Sequence, residues 1–345
     1  MSKETMTYLN SGEIVVGGTK ERGLPWWNTP SLQTHGKQLF WDEFIPADAI
    51  LDGPFGWTAL EVEPTVEING EHVPMTGYKA IVRNTTRKTL GVFKQGYQPH
   101  QPHQLVDLAM DFLGNEVGFT SAGALREGGI IWLEASVLRE YHNDAAGFAF
   151  VPNLLLTTSF NGTMITDAIR TAKYSVCDNT HEIARQAKVA RVGAKHTKFS
   201  LDKLAGSSSL LGIIEQDAKD LDAEITAAVQ TEISGKQFAK FLDLWVPIPD
   251  WKEGDPTNGL TIATNKRDAI QTMWVSDPRV APWRGTKFGA QQLVNTFNQH
   301  GGRTEDDDME AMGKRFQKNQ LAVLSGAVAK TDANTMKALE LAMAE

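Results

Sequence analysis

Residues 153–203 read NLLLTTSFNGTMITDAIRTAKYSVCDNTHEIARQAKVARVGAKHTKFSLDK, and the reading of this stretch decides the fold. Leu154 to Thr158 is a short apolar run of residues suited to a pleated surface. Asn161-Gly162 supplies two residues that tolerate positive φ, a strong hairpin signal, and Met164 to Ile169 returns. Lys173 to Cys177 predicts a third strand. Asn179 and Thr180 suit a helix cap, with Glu182 in the first turn, so a basic helix is expected from Ile183 to Leu201. Its charges are Arg185, Lys188, Arg191, Lys195 and Lys198, with no carboxylate among them. Arg170 and Lys173 lie just before.

The rest of the chain sets that charge in relief. The 345 residues carry a formal net charge of −8, with 41% hydrophobic and 22% charged residues, the balance of a globular chain. No apolar run reaches the length of a membrane span, and the first residues do not resemble a secretory signal. A reducing cytoplasm is the expected location. Cys177 is the single cysteine, which excludes an internal disulfide framework and a multi-cysteine zinc site.

Working outward, residues 1–54 read as an N-terminal arm. Glycines, prolines and the pair Trp26-Trp27 fill its first part, and a short helix is expected within 39–51, starting near Pro46. Residues 55–200 read as an α+β core. Asn69-Gly70 marks a second hairpin, Tyr78 to Arg83 and Thr89 to Phe93 flank a third, and Val117 to Leu125 pairs in sequence with Ile130 to Leu138. Leu105, Leu108, Ala109 and Phe112 repeat at helical spacing over 102–114. Residues 201–345 read as mostly helical. Leu201, Leu204, Leu211, Ile214, Ala218, Leu221, Ile225 and Ala228 form a seam, and helices are expected over 235–245, 263–275, 286–300, from the acidic run Glu305–Asp308 to about Lys330, and after Thr331. The fold class is therefore α+β: an antiparallel sheet with hairpins and packed helices, then a helical part.

Enzyme chemistry finds no constellation. There is no phosphate-binding glycine motif, His181-Glu182 lacks a second histidine, and His100 and His103 lack a third ligand. Asp306, Asp307 and Asp308 suit a helix N-terminus better than a cation. No catalytic residue, metal or cofactor is expected. The uncompensated cations point to an anionic partner. If five to seven of them neutralise phosphates, log K falls against log[salt] with a slope of about −3.5 to −6. Phe160 and Tyr174 are the base-stacking candidates. The competing reading is a structural protein whose basic helix meets an acidic partner, such as Glu305–Asp308 of another copy.

Several tags then occur together. Leu24-Pro25-Trp26, Val82-Arg83, Leu90-Gly91-Val92 and Tyr97-Gln98-Pro99 come first. Ala122-Gly123-Ala124-Leu125, Gly128-Gly129 and Ile131-Trp132 follow. Asn161-Gly162-Thr163, Val176-Cys177-Asp178-Asn179-Thr180, Lys195-His196-Thr197 and Gly285 to Ala290 complete the order. Together they resemble the phage/plasmid-like protein family of unknown function, found in phages of actinobacteria and in mobile elements. Trp27 departs from it, since histidine is more usual there. The resemblance implies a replication or recombination accessory protein, similar in core to phage single-strand annealing proteins. Those bind DNA along a basic groove and assemble into oligomers. DNA, single-stranded rather than duplex, and further copies of the chain are thus the expected partners.

Overall fold

The computed structural model describes residues 13–17, 40–41, 43–113, 117–137, 141–174, 180–181, 191–205, 210–252, 256–300, 309–325 and 327–344. The elements run β1 (Ile14–Gly17), β2 (Phe40–Trp41), α1 (Ala47–Asp52), β3 (Ala59–Val62), β4 (Thr65–Ile68), β5 (Glu71–Pro74), β6 (Tyr78–Arg83), β7 (Thr89–Lys94) and α2 (Pro102–Leu113). Next come β8 (Val117–Leu125), β9 (Ile130–Val137), β10 (Tyr141–Asn143), β11 (Phe148–Ser159), β12 (Thr166–Tyr174), β13 (Thr180–His181) and β14 (Arg191–Ala194). Helices α3 (Ser200–Ala205), α4 (Leu210–Gln230), α5 (Gly235–Trp245), α6 (Asn258–Ser276), α7 (Lys287–His300), α8 (Met309–Ser325) and α9 (Ala327–Met343) complete the chain. The class is α+β, with hairpins at the expected turns and a helical C-terminal part.

The large sheet runs in the order β13-β12-β11-β9-β8-β1-β2, with β10 also on β11 and β14 also on β12. It is antiparallel except for β1 with β2. Side chains alternate across it, and the alternation divides two cores. Leu154, Leu156 and Ala168 pack with Leu105, Val106, Ala109 and Phe112 of α2, while Leu155 packs with Trp132 and with Leu324 of α8. Gly123 makes room for the Trp132 ring: a Cβ there would lie 2.2 Å from it. A smaller sheet, β3-β6-β7, and the exposed hairpin β4-β5 sit apart.

The structure departs from the sequence expectation where the charges are. The basic helix over 183–201 is not formed in its described part. Arg191–Ala194 is β14, paired with Thr166 to Ile169, and helix begins only at Ser200. Val192 and Gly193 are poor helix formers, and the open edge of β12 offers backbone partners that a helix does not use. Thr180 lies in β13 opposite Lys173. The second and third expected strands are one strand, β12, through Tyr174. Arg185 and Lys188 lie outside the described residues, as do Cys177, Asn179 and Glu305–Asp308. Arm residues Ile14–Gly17 also join the sheet: β1 pairs with β8 through Ile14↔Gly123 and Val16↔Ser121. Among the described residues no helix is long and apolar enough to cross a membrane.

Candidate functional site

The β11–β12 hairpin, β14 and the turn after β14 build the site. Ala194 pairs with Thr166, so the segment Lys195 to Phe199 emerges at the same end of the sheet as the hairpin turn 160–165. That turn is longer than the Asn-Gly pair alone. Asn161 Oδ1 accepts from Thr163 N at 3.1 Å and from Thr163 Oγ1 at 2.6 Å, and Gly162 takes φ +76°.

Beneath the turn lies a polar cluster in an otherwise apolar core. Thr158 Oγ1 and Thr166 Oγ1 are 2.6 Å apart, His196 Nε2 is 2.9 Å from Thr158, and His100 Nδ1 is 2.5 Å from Thr166. His100 Nε2 lies 3.0 Å from Ser200 Oγ, whose proton goes to Thr197 O at 2.6 Å. Burial holds both imidazoles well below the usual histidine range, His100 at about 3 and His196 at about 4, with His196 adding to the effect on His100. Both rings are therefore neutral at pH 7. Counting one proton per link then fixes a single direction. His196 Nε2–H donates to Thr158, Thr158 to Thr166, Thr166 to His100 Nδ1, His100 Nε2–H to Ser200, and Ser200 to Thr197 O. Every group on this path donates once. Tyr97 closes the cluster from above. Its ring lies 4.9 Å from His196, and its hydroxyl donates to Ser159 O at 3.0 Å. Gln98 N donates to His196 O at 3.0 Å.

The relay clamps the segment it supports. Lys195, Lys198 and Phe199 stand exposed directly above it. Phe199 is 63% exposed and sits in the left-handed region at φ +65°, an outlier for a bulky residue. Lys198 Nζ lies 5.1 Å from its ring centroid, within cation–π range. Neither lysine has an ion pair among the described residues. Arg191 occupies the register position opposite Ile169, one place from Arg170, and Lys173 lies opposite Thr180. The structure thus gathers Arg170, Lys173, Arg191, Lys195 and Lys198 along one sheet edge and the turn that follows, instead of on a helix face.

The stacking candidates change accordingly. Phe160 is fully buried and meets Trp57 edge-on at 4.9 Å, so it is a core residue and not available to a base. The residue after the hairpin strand reads as a turn tip in sequence, but the alternation of β11 turns it inward with Leu156 and Thr158. Tyr174 ends β12, opposite Phe150. Phe199 is an exposed aromatic beside Lys195 and Lys198. Sequence reasoning passed over Phe199, Thr158, Thr166 and Ser200, weighed His100 only as a metal ligand beside His103, and met His196 only in a family tag. The available signal was the run of hydroxyl residues flanking Asn161-Gly162 on strands that are otherwise apolar. Among the described residues no group of three His, Cys, Asp or Glu side chains is placed to hold a metal.

A family model described as a domain of unknown function (DUF932) matches residues 89–323, from β7 into α8, and the chain belongs to that family. The match takes in the relay, the hairpin and the cationic edge. No curated protein and no solved structure matches the chain.

Proposed function

We propose that this chain is a non-enzymatic DNA-binding protein that holds a single strand against the β12–β14 edge and the turn 195–199, as a phage recombination or replication accessory protein in the host cytoplasm. One observation carries the reading: two lysines with no ion pair among the described residues precede an exposed, strained phenylalanine on a turn anchored by a closed hydrogen-bond relay. Cations contact phosphates, and an aromatic face stacks on a base of any identity, which suits binding without sequence preference. The strain at Phe199 is sustained by the surrounding structure and keeps the ring in solvent. The relay supplies rigidity without adding charge of its own.

The test is fluorescence anisotropy with a labelled single-stranded oligonucleotide across a salt series. Wild type is expected to bind at low salt with a slope of about −3.5 or steeper, if five or more cations contact phosphate. Lys195→Ser/Lys198→Ser is expected to flatten the slope by about 1.4. Phe199→Ala is expected to weaken binding at every salt concentration with little change of slope, by about 1–3 kcal/mol. Wild type that fails to bind at low salt rejects the reading. Assembly of several copies along one strand belongs to the same proposal, and a mass measurement with and without oligonucleotide tests it.

A further inference from the structure

The end of the sheet that carries turn 195–199 also gathers three other turns: 84–88 between β6 and β7, 126–129 between β8 and β9, and 160–165 between β11 and β12. They touch one another. Arg83 donates to Glu127 O at 3.2 Å, Lys88 Nζ lies 3.3 Å from Glu127 Oε1, and Phe160 N donates to Gly129 O at 2.9 Å. Two of these turns hold an arginine in the left-handed region, Arg87 at φ +57° and Arg126 at φ +52°. Glycine or asparagine meets that backbone demand with less strain. Both arginines are exposed, and neither has an ion pair among the described residues. Glu127, the acid between them, is already engaged by Lys88. Two positive charges are therefore left over on strained backbone, at a place where the fold itself asks for a smaller residue.

We infer that Arg87 and Arg126 form a second phosphate-contacting site, so that a bound strand crosses the end of the large sheet from turn 195–199 to turns 84–88 and 126–129. This rests on the proposed function and extends it from a local contact to a path. The distance suits a polymer and not a single small anion. From β14 to β9 there are three inter-strand steps, β14–β12, β12–β11 and β11–β9. At about 4.8 Å each they span roughly 14 Å. Exposed Gly162 and Thr163 of the hairpin turn lie between and present no acidic side chain to the strand.

The experiment replaces the arginines by a residue that accepts the same backbone. Arg87→Asn/Arg126→Asn is expected to melt at or above the wild-type temperature, to lower single-strand affinity about tenfold at moderate salt, and to flatten the salt slope by about 1.4. Arg87→Lys/Arg126→Lys keeps the charge and is expected to bind as wild type does, which separates charge from any general disturbance of the turns. Unchanged affinity and slope in the asparagine variant, with the Lys195→Ser/Lys198→Ser variant weakened, overturn this site and leave the proposed function standing. Absence of wild-type binding at low salt overturns both.

Discussion

Thr157 and Thr158 are neighbours on β11, yet they enter two polar networks on opposite faces of the large sheet. Thr158 joins the relay His196–Thr158–Thr166–His100–Ser200, in which every hydrogen-bonding group on the path has a partner and none is charged. Thr157 donates to the Asp167 carboxylate, on the face where Ser121 Oγ donates to Glu134 at 2.7 Å and Trp132 Nε1 donates to Ser121 at 3.3 Å. That second face also holds Asn153, 1% exposed, whose amide nitrogen and oxygen have no hydrogen-bond partner among the described residues. The difference is one of closure. A neutral network that satisfies itself rigidifies what it touches, here the cationic turn, whereas a face of acids and an unsatisfied amide retains a demand.

Acid is the strongest way to break the first network. Both histidines have folded-state values below their ordinary 6.5, at about 3 and about 4. Below pH 6.5 the unfolded chain takes up protons that the folded chain refuses, so stability falls as pH falls. The loss continues to about pH 4 for His196 and about pH 3 for His100. At roughly 1.4 kcal/mol per pH unit for each ring, the pair removes on the order of 4 kcal/mol between pH 7 and pH 5. Urea unfolding at the two pH values measures it. His196→Gln is expected to lose about half of that dependence. A pH dependence unchanged by that substitution would place the titrating groups elsewhere.

Cutting the relay at a hydroxyl is the next effect in size. Thr158→Val keeps the shape and removes both an acceptor for His196 and a donor for Thr166. A cost of about 1–3 kcal/mol is expected, because buried partners are left unsatisfied. The comparison sharpens if amide exchange is followed alongside. Protection is expected to drop at Gln98, Thr197 and Ser200, whose amide or carbonyl groups tie the turn down, and to hold at Ile130 to Ala135 of β9. Equal loss in both places would mean that the relay is ordinary core and does not serve the turn in particular.

How much of this was legible in the sequence follows the same division. The period-two runs around Asn69-Gly70 and Asn161-Gly162, and the helical spacing of Leu105, Leu108, Ala109 and Phe112, are local signals, and the structure keeps those elements. The described part of the basic segment, Arg191–Ala194, was misread because Arg185, Lys188 and Arg191 share helical spacing. What decides Arg191–Ala194 is the vacant edge of β12, a partner brought there by a hairpin made of other residues. The hydroxyl half of the relay left a trace beside Asn161-Gly162, but its histidines were not legible as partners. His100 and His196 lie 96 positions apart, and only the pairing of β14 with β12 and the tether from Gln98 to His196 bring their rings to 4.6 Å. Phe160 was misplaced for a comparable reason, since a strand's alternation carries on past its last paired residue, Ser159.

The smallest expected effect probes the other face, and it discriminates by sign. Asn153 faces Ser136 on β9 and Thr171 on β12, in the interior of three paired strands. A buried amide with neither atom bonded costs stability, and leucine is close to it in shape. Asn153→Leu is therefore expected to stabilise the fold by about 1 kcal/mol, read as a rise in the urea midpoint at unchanged slope. The stabilised variant is then the one to carry into the oligonucleotide assay. If its binding equals that of wild type, the acidic face is independent of the cationic turn and the two networks act separately. If Asn153→Leu destabilises the fold instead, the amide is satisfied in solution, and the contrast between a closed face and an open one fails.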